Sequence, residues 1–245
     1  MKKLLLIPIF ASLLTITNSG PNARAQQQPI AKQHRTFSEN AAAERIANLD
    51  VLKQRIKQYH DCTCTCGCYA HDLDAQAERA IAFLRRRAAR KQPSEKLAIV
   101  LDIDETSLTN YEELLRSGFN YTKRDWDAWV ESAKAPVIPG TLRLYDEAQR
   151  LGIDVFFITG RRESQRAVTE TNLTAQGYTN WKQLVLRQDT AAAQSTTAYK
   201  SSMRAQVQKQ GYKVVLNIGD QWSDLKGTPA AEFSVKYPDP YYLIP

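Results

Sequence analysis

Beyond its first sixteen residues the 245-residue chain has no long apolar run, so nothing after that point predicts a membrane span. It has no dense stripe of lysine and arginine interleaved with aromatic residues, and this argues against a nucleic-acid groove. Its basic residues are scattered along segments that read as helices, such as FLRRRAARK at 83–91 and RRESQR at 161–166, where solvated faces are the expected role. No cysteine follows the first apolar run at a site suited to lipid attachment. The four cysteines present, Cys62, Cys64, Cys66 and Cys68, stand at alternate positions, a spacing that common zinc modules do not use.

What is present points to an exported globular protein. The opening MKKLLLIPIFASLLTI puts two lysines ahead of an apolar run, and ARAQ at 23–26 supplies a small-x-small cleavage pattern, so residues 1–25 read as a signal peptide cut after Ala25. Lys2, Lys3 and Arg24 leave with it, taking the formal charge from +7 to +4. Residues 26–39 are polar, with no apolar periodicity, and read as a mobile leader. With 43% hydrophobic residues, the remainder can bury one substantial core and a small accessory region.

Two amphipathic helices are expected in an N-terminal extension over 40–95. Residues 40–59 space Ile46, Leu49, Leu52 and Ile56 at three and four, and 73–90 do so with Leu73, Ala77, Ala80, Ile81 and Leu84. Each should pack one face on a core. From residue 96 short apolar runs alternate with amphipathic segments in the order β-α-β-α-β-α-β-β. This predicts an α/β fold, a Rossmann-like parallel sheet with helices on both faces, and Gly152, Gly177 and Gly211 stand where helices must stop. An insert at 107–139 is too long for an ordinary strand-to-helix loop. Its Tyr111, Phe119, Tyr121, Trp126 and Trp129 suggest a small helical cap over a site, or a mini-core of its own.

Ligands of open parallel sheets bind beyond the carboxyl ends of the strands. The first strand ends in Asp102-Ile-Asp104-Glu-Thr106, the second in Thr159-Gly160, and the fourth in Asp220, with Asp224 four residues on. Like charges held that close are costly unless a cation or a phosphoryl group uses them. Hard carboxylate oxygens suit Mg²⁺, and Lys200, just before the fourth strand, can supply fixed positive charge.

DIDET, ITGR, Lys200 and GDQWSD stand in the order of the four motifs of the haloacid dehalogenase superfamily. The chain from about residue 41 onward resembles its exported acid phosphatase branch, subfamily IIIB, which holds plant-type acid phosphatases, vegetative storage proteins and bacterial outer-membrane acid phosphatases. NIGDQWSDLKG and YKSSMRAQVQKQGY are similar to the plant-type members. The resemblance implies a Mg²⁺-dependent phosphomonoesterase over 96–245, periplasmic or secreted, acting on small phosphomonoesters; stacking of a base on Trp126 or Trp129 would admit nucleotide monophosphates. It implies Asp102 as the nucleophile that becomes an aspartyl-phosphate, and Asp104 as the acid and base. Thr159, Gly160 and Lys200 would bind the substrate phosphate. Metal ligation would fall to Asp102, Asp104 through its backbone carbonyl, Asp220 and Asp224, with Thr106 bracing the loop. An acidic optimum follows, since Asp104 must be protonated to donate. Some storage relatives lack the nucleophilic aspartate; here Asp102 is present. Rival readings are phosphotransfer to alcohols and a non-catalytic metal-binding or storage protein.

The cysteine run lies outside that family pattern. In an exported chain it reads as disulfides, for instance Cys62 to Cys68, ahead of a soft-metal site drawing on His60 or His71. His34 falls in the leader and is expected to be solvated.

Overall fold

The computed structural model describes residues 46–64, 68–190 and 194–244. The expected signal peptide, leader and residues 40–45 of the first helix lie outside the described residues, as does Cys66.

Five strands form one parallel sheet: β1 (Lys96–Leu101), β2 (Asp154–Arg162), β3 (Gln183–Arg187), β4 (Tyr212–Gly219) and β5 (Phe233–Lys236). Their order is β3-β2-β1-β4-β5, so the chain runs outward through β1, β2 and β3 and then returns to the other side of β1. The switch point between β1 and β4 is where such sheets open a ligand crevice. Both faces of the strands are apolar because both are covered. Leu97, Ile99 and Leu101 of β1 and Val155 and Phe157 of β2 join the larger core, while Ala98, Val100, Phe156 and Ile158 face a smaller one with Tyr199 and Val207.

The helices are α1 (Leu49–Asp61), α2 (Tyr69–Ala88), α3 (Tyr111–Arg116), α4 (Lys123–Glu131), α5 (Pro139–Arg150), α6 (Arg166–Ala175), α7 (Thr196–Lys209) and the single turn α8 (Trp222–Leu225). Helices α2, α5 and α6 bury Leu84, Leu144 and Leu173 on the larger core, and α7 covers the opposite face. The expected helix-ending glycines, Gly152, Gly177 and Gly211, all have positive φ, at 63°, 97° and 85°. Among the described residues no helix is long and apolar enough to cross a membrane.

Two expectations need correction. The apolar stripe of α2 is buried as expected, but α1 buries no residue fully. Ile46 and Leu49 are 84% and 65% exposed, and only Ile56 and Tyr59 reach the core. Periodicity marks α1 as a helix; the helix meets the rest of the fold only toward its carboxyl end, where Tyr59 Oη donates to Asp72 at 2.6 Å. Nor are Cys62 and Cys68 bonded to each other. The Cys68 thiol donates to the Cys64 carbonyl at 3.0 Å as the chain turns into α2, and Cys64 is disulfide-bonded.

Candidate active site

β1 hands over to its tip without losing its ladder: the Asp102 N–H donates to the Ile218 carbonyl of β4 at 3.0 Å. A tight turn then closes on the Ile103 carbonyl, which accepts from Ser107 and Leu108 N–H at 2.8 and 2.9 Å. Ser107 Oγ donates back to the Asp102 carbonyl at 2.6 Å. Ile103 points into the core, fully buried, so Asp102 and Asp104 both line the cavity at the sheet edge, as strand alternation requires.

Carboxylate oxygens of Asp102, Asp220 and Asp224 lie within 4.8 Å of one another, all buried. Lys200 sits in the second turn of α7. Its Nζ donates to Asp102 Oδ1, to the Ile158 carbonyl at 2.6 Å, and pairs with Asp224 at 2.8 Å. One ammonium among three carboxylates leaves excess negative charge in a buried space. Burial first, and then Asp224 and Asp104, push the Asp102 carboxyl up to about 7 against the pull of Lys200. Asp220 is raised well above the ordinary carboxylate range, by burial and by Asp224 and Asp102. Burial works to lower Lys200, but Asp102 and Asp224 outweigh it and raise its pKa.

Such a set of hard oxygens fits a divalent cation, which would neutralise the excess charge. The supporting shell is in place. Thr106 Oγ1 donates to Asp220 Oδ1 at 3.2 Å, Gln221 Nε2 donates to Asp220 Oδ2 at 2.7 Å, and the Gln221 N–H donates to Asp224 Oδ2 at 2.9 Å. Thr106 thus touches the Asp220 carboxylate directly. Asp224 comes so close to β4 that a Cβ at Gly219 would stand 2.3 Å from its Cβ, so only glycine fits there.

The side chain of Asp104 stays outside the carboxylate cluster. Its Oδ1 accepts from Arg161 Nη2 at 2.7 Å, from Arg161 Nε at 3.1 Å and from Asn110 Nδ2 at 3.0 Å. Arg161 and its neighbour Arg162 correct the expectation that the basic residues of 161–166 form a solvated face. Arg161 is buried, and both line the cavity. The signal lay in their place directly after the strand-tip Thr-Gly. Gly160 also lines the cavity. The buried Thr159 hydroxyl accepts from the Arg161 N–H at 3.1 Å, which leaves its own proton for another acceptor.

The cavity encloses about 560 Å³. The insert divides between the two roles expected of it. Phe119, Tyr121 and Trp126 line the cavity, whereas Tyr111 stacks on His60 at 3.3 Å between ring centroids. Trp129 packs against the core and donates to Asn110 Oδ1 at 2.7 Å. A wall that sequence reasoning missed comes from Tyr241, Tyr242, Leu243 and Ile244. Tyr242 Oη donates to the buried Glu105 carboxylate at 2.8 Å, tying this segment to the β1 tip.

The family model of HAD superfamily, subfamily IIIB (Acid phosphatase), matches residues 22–245. The chain belongs to this subfamily. Similar proteins include Acid phosphatase 1 of Solanum lycopersicum, 40% identical over 148 residues that cover 59% of this chain and 58% of that one. Vegetative storage protein 1 of Arabidopsis thaliana is 32% identical over 206 residues, covering 82% of this chain and 74% of its own. A Stem 31 kDa glycoprotein of Glycine max is 37% identical over 149 residues, covering 59% of each chain. The chain thus spans about three fifths of the length of the tomato and soybean relatives. The solved class C acid phosphatase from Bacillus anthracis shares the fold of this subfamily IIIB chain, with a TM-score of 0.64 at 22% identity over 78% of this chain and 86% of that one.

Proposed function

We propose that this subfamily IIIB chain is an exported, Mg²⁺-dependent acid phosphatase that hydrolyses small phosphomonoesters through an aspartyl-phosphate at Asp102. The observation that carries the reading is the meeting, at one cavity, of a buried three-carboxylate cluster with Lys200 and a separate carboxyl, Asp104, held apart by Arg161. Phosphate monoesters are among the slowest compounds to hydrolyse unaided, with enzymatic accelerations reaching about 10²¹. Positioned charge must therefore do most of the work.

Asp102, Asp220 and Asp224 would hold the metal, together with the backbone carbonyl of Asp104. Mg²⁺ bound there supplies positive charge that offsets repulsion between the attacking carboxylate and the phosphoryl oxygens. A carboxylate oxygen of Asp102 attacks phosphorus, and the bond from phosphorus to the leaving oxygen breaks with its electron pair staying on that oxygen. Protonated Asp104 gives its proton to the same oxygen. Asp104, now a carboxylate, takes a proton from water as the water oxygen attacks phosphorus, and the bond from phosphorus to Asp102 breaks to release orthophosphate. Lys200, Thr159 and the Gly160 turn orient the phosphoryl oxygens, and the cap excludes bulk water.

Trp126, Tyr121 and Phe119 offer flat faces to a leaving group, which supports nucleotide monophosphates as substrates; Trp129, away from the cavity, plays no part in that stacking. Export rests on the leader pattern of 1–25, and a mature protein starting at Gln26 is its direct check. The likeness to vegetative storage proteins supports a second reading as a storage protein, but an intact Asp102 in a complete site favours catalysis. Phosphate release from a panel of monoesters, with and without Mg²⁺, tests the reading. Metal-dependent turnover that falls at least about 10³-fold in Asp102→Asn supports it, and undiminished turnover in that variant overturns it.

A further inference from the structure

Asn110, beyond the DIDET motif, sits in a fully buried position where every polar atom of its side chain is engaged. Its Oδ1 accepts from Trp129 Nε1 of α4 at 2.7 Å. Its Nδ2 donates to Asp104 Oδ1 and to Glu105 Oε2, each at 3.0 Å. Its backbone N–H donates to Glu105 Oε1 at 2.6 Å. An indole nitrogen can only donate, so the amide must turn its oxygen to Trp129 and its nitrogen to the two carboxyl groups. The opposite orientation would set a carbonyl against two carboxyl oxygens and leave the indole N–H without an acceptor, a costly pair of faults in a buried site.

Asn110 and Arg161 both concentrate their donors on Asp104 Oδ1. The Oδ2 atom receives one long contact, 3.2 Å from Arg161 Nε. Oδ1 is thereby occupied, which leaves Oδ2 the less engaged oxygen of the carboxyl group.

We propose that Asn110 is a positioning residue for the general acid, locked in orientation by Trp129 of the cap, so that Asp104 holds its less engaged Oδ2 toward the leaving oxygen. The inference rests on the role of Asp104 proposed above. Trp126, which lines the cavity, and Trp129 stand three residues apart on α4 and share a side of it. The helix that meets the substrate therefore also sets the acid.

The test is a leaving-group comparison, because protonation matters greatly for an alkoxide and little for a nitrophenolate. The measured quantity is kcat/KM, which reports the step in which the leaving group departs, for a primary alkyl phosphate and for p-nitrophenyl phosphate. Asp104→Asn must lose far more with the alkyl ester than with the aryl ester; equal losses would remove the acid role itself. Trp129→Phe keeps a ring in place and deletes only the donor. With it, the alkyl ester should fall about tenfold and the aryl ester by less than about twofold, a fraction of what a general acid supplies. Asn110→Ala should show the same split, and adding Trp129→Phe to it should cost nothing further, as expected of residues acting through one path. If Asp104→Asn separates the two esters while Trp129→Phe lowers both equally or neither, the positioning role is overturned. An additive double variant overturns it as well, and Trp129→Phe alone decides should Asn110→Ala not fold.

Discussion

Gln221 makes more contacts with the carboxylate cluster than any motif position suggests. Its amide donates to Asp220 Oδ2 and Asp239 Oδ2, and its backbone N–H to Asp224 Oδ2. A residue that orients ligands without ligating typically costs 10–100-fold in metal affinity when lost, so Gln221→Ala should weaken Mg²⁺ binding by about that factor. Calorimetric titration of the metal checks this, and unchanged affinity would show that Asp220 orients itself. At this scale the sequence was most legible where chemistry demands a residue type at a strand tip: Asp102, Asp104, Asp220, Asp224 and Lys200 all converge. Arg161 escaped notice because composition alone groups it with solvated arginines, and only its partner, distant in sequence, shows why it is buried. Asn110 escaped because a neutral amide carries no signal until its hydrogen bonds are seen.

Helices α2 and α5 are clamped by a carboxylate between two arginines. Glu147 accepts from Arg85 Nε at 2.7 Å and from Arg150 Nη2 and Nε at 2.6 and 2.9 Å. Arg150, and then Arg85, hold its carboxyl at about 2, against 4.5 ordinarily. Because the folded value is depressed, this stabilisation is complete above about pH 4.5 and is lost as pH falls through 2. Both arginines are largely exposed, and screening keeps the contribution to about 0.5–1 kcal/mol. Glu147→Gln should therefore lower Tm by about 1–4 °C at pH 7, with the gap closing toward pH 2. Thermal melts across that range check it, and a gap independent of pH would assign the effect to packing. Elements were legible in sequence wherever burial is two-sided: the uncharged runs of β1, β2 and β4 are strands because α2, α5 and α6 cover one face and α7 the other. The face of α1 was not legible, since an apolar stripe records periodicity and says nothing about which half of a helix meets a partner.

For the molecule as a whole, three buried carboxylates around one ammonium would make cation binding and folding linked events. A ligand at 100 times its Kd, binding only the folded state, adds about 2.7 kcal/mol. Saturating Mg²⁺ should thus raise Tm by about 5–11 °C over the chelated protein, and Asp220→Asn should abolish most of that rise. A Tm indifferent to Mg²⁺ would mean that the cluster does not bind it. The parallel sheet with helices on both faces was readable from the alternation of segments, whereas its strand order, and with it the switch point, was not, because periodicity does not say which strands pair; nor was the wall built by Tyr241 to Ile244, because that stretch carries no periodicity to place it. The proposed chemistry turns on where the phosphoryl group goes. The most direct measurement is acid quenching of the enzyme during steady turnover, followed by mass spectrometry of the peptide spanning 99–110. Phosphate bound covalently at Asp102, absent in Asp102→Asn, is the predicted result; full turnover with that peptide unmodified, or modified at another residue, would contradict it.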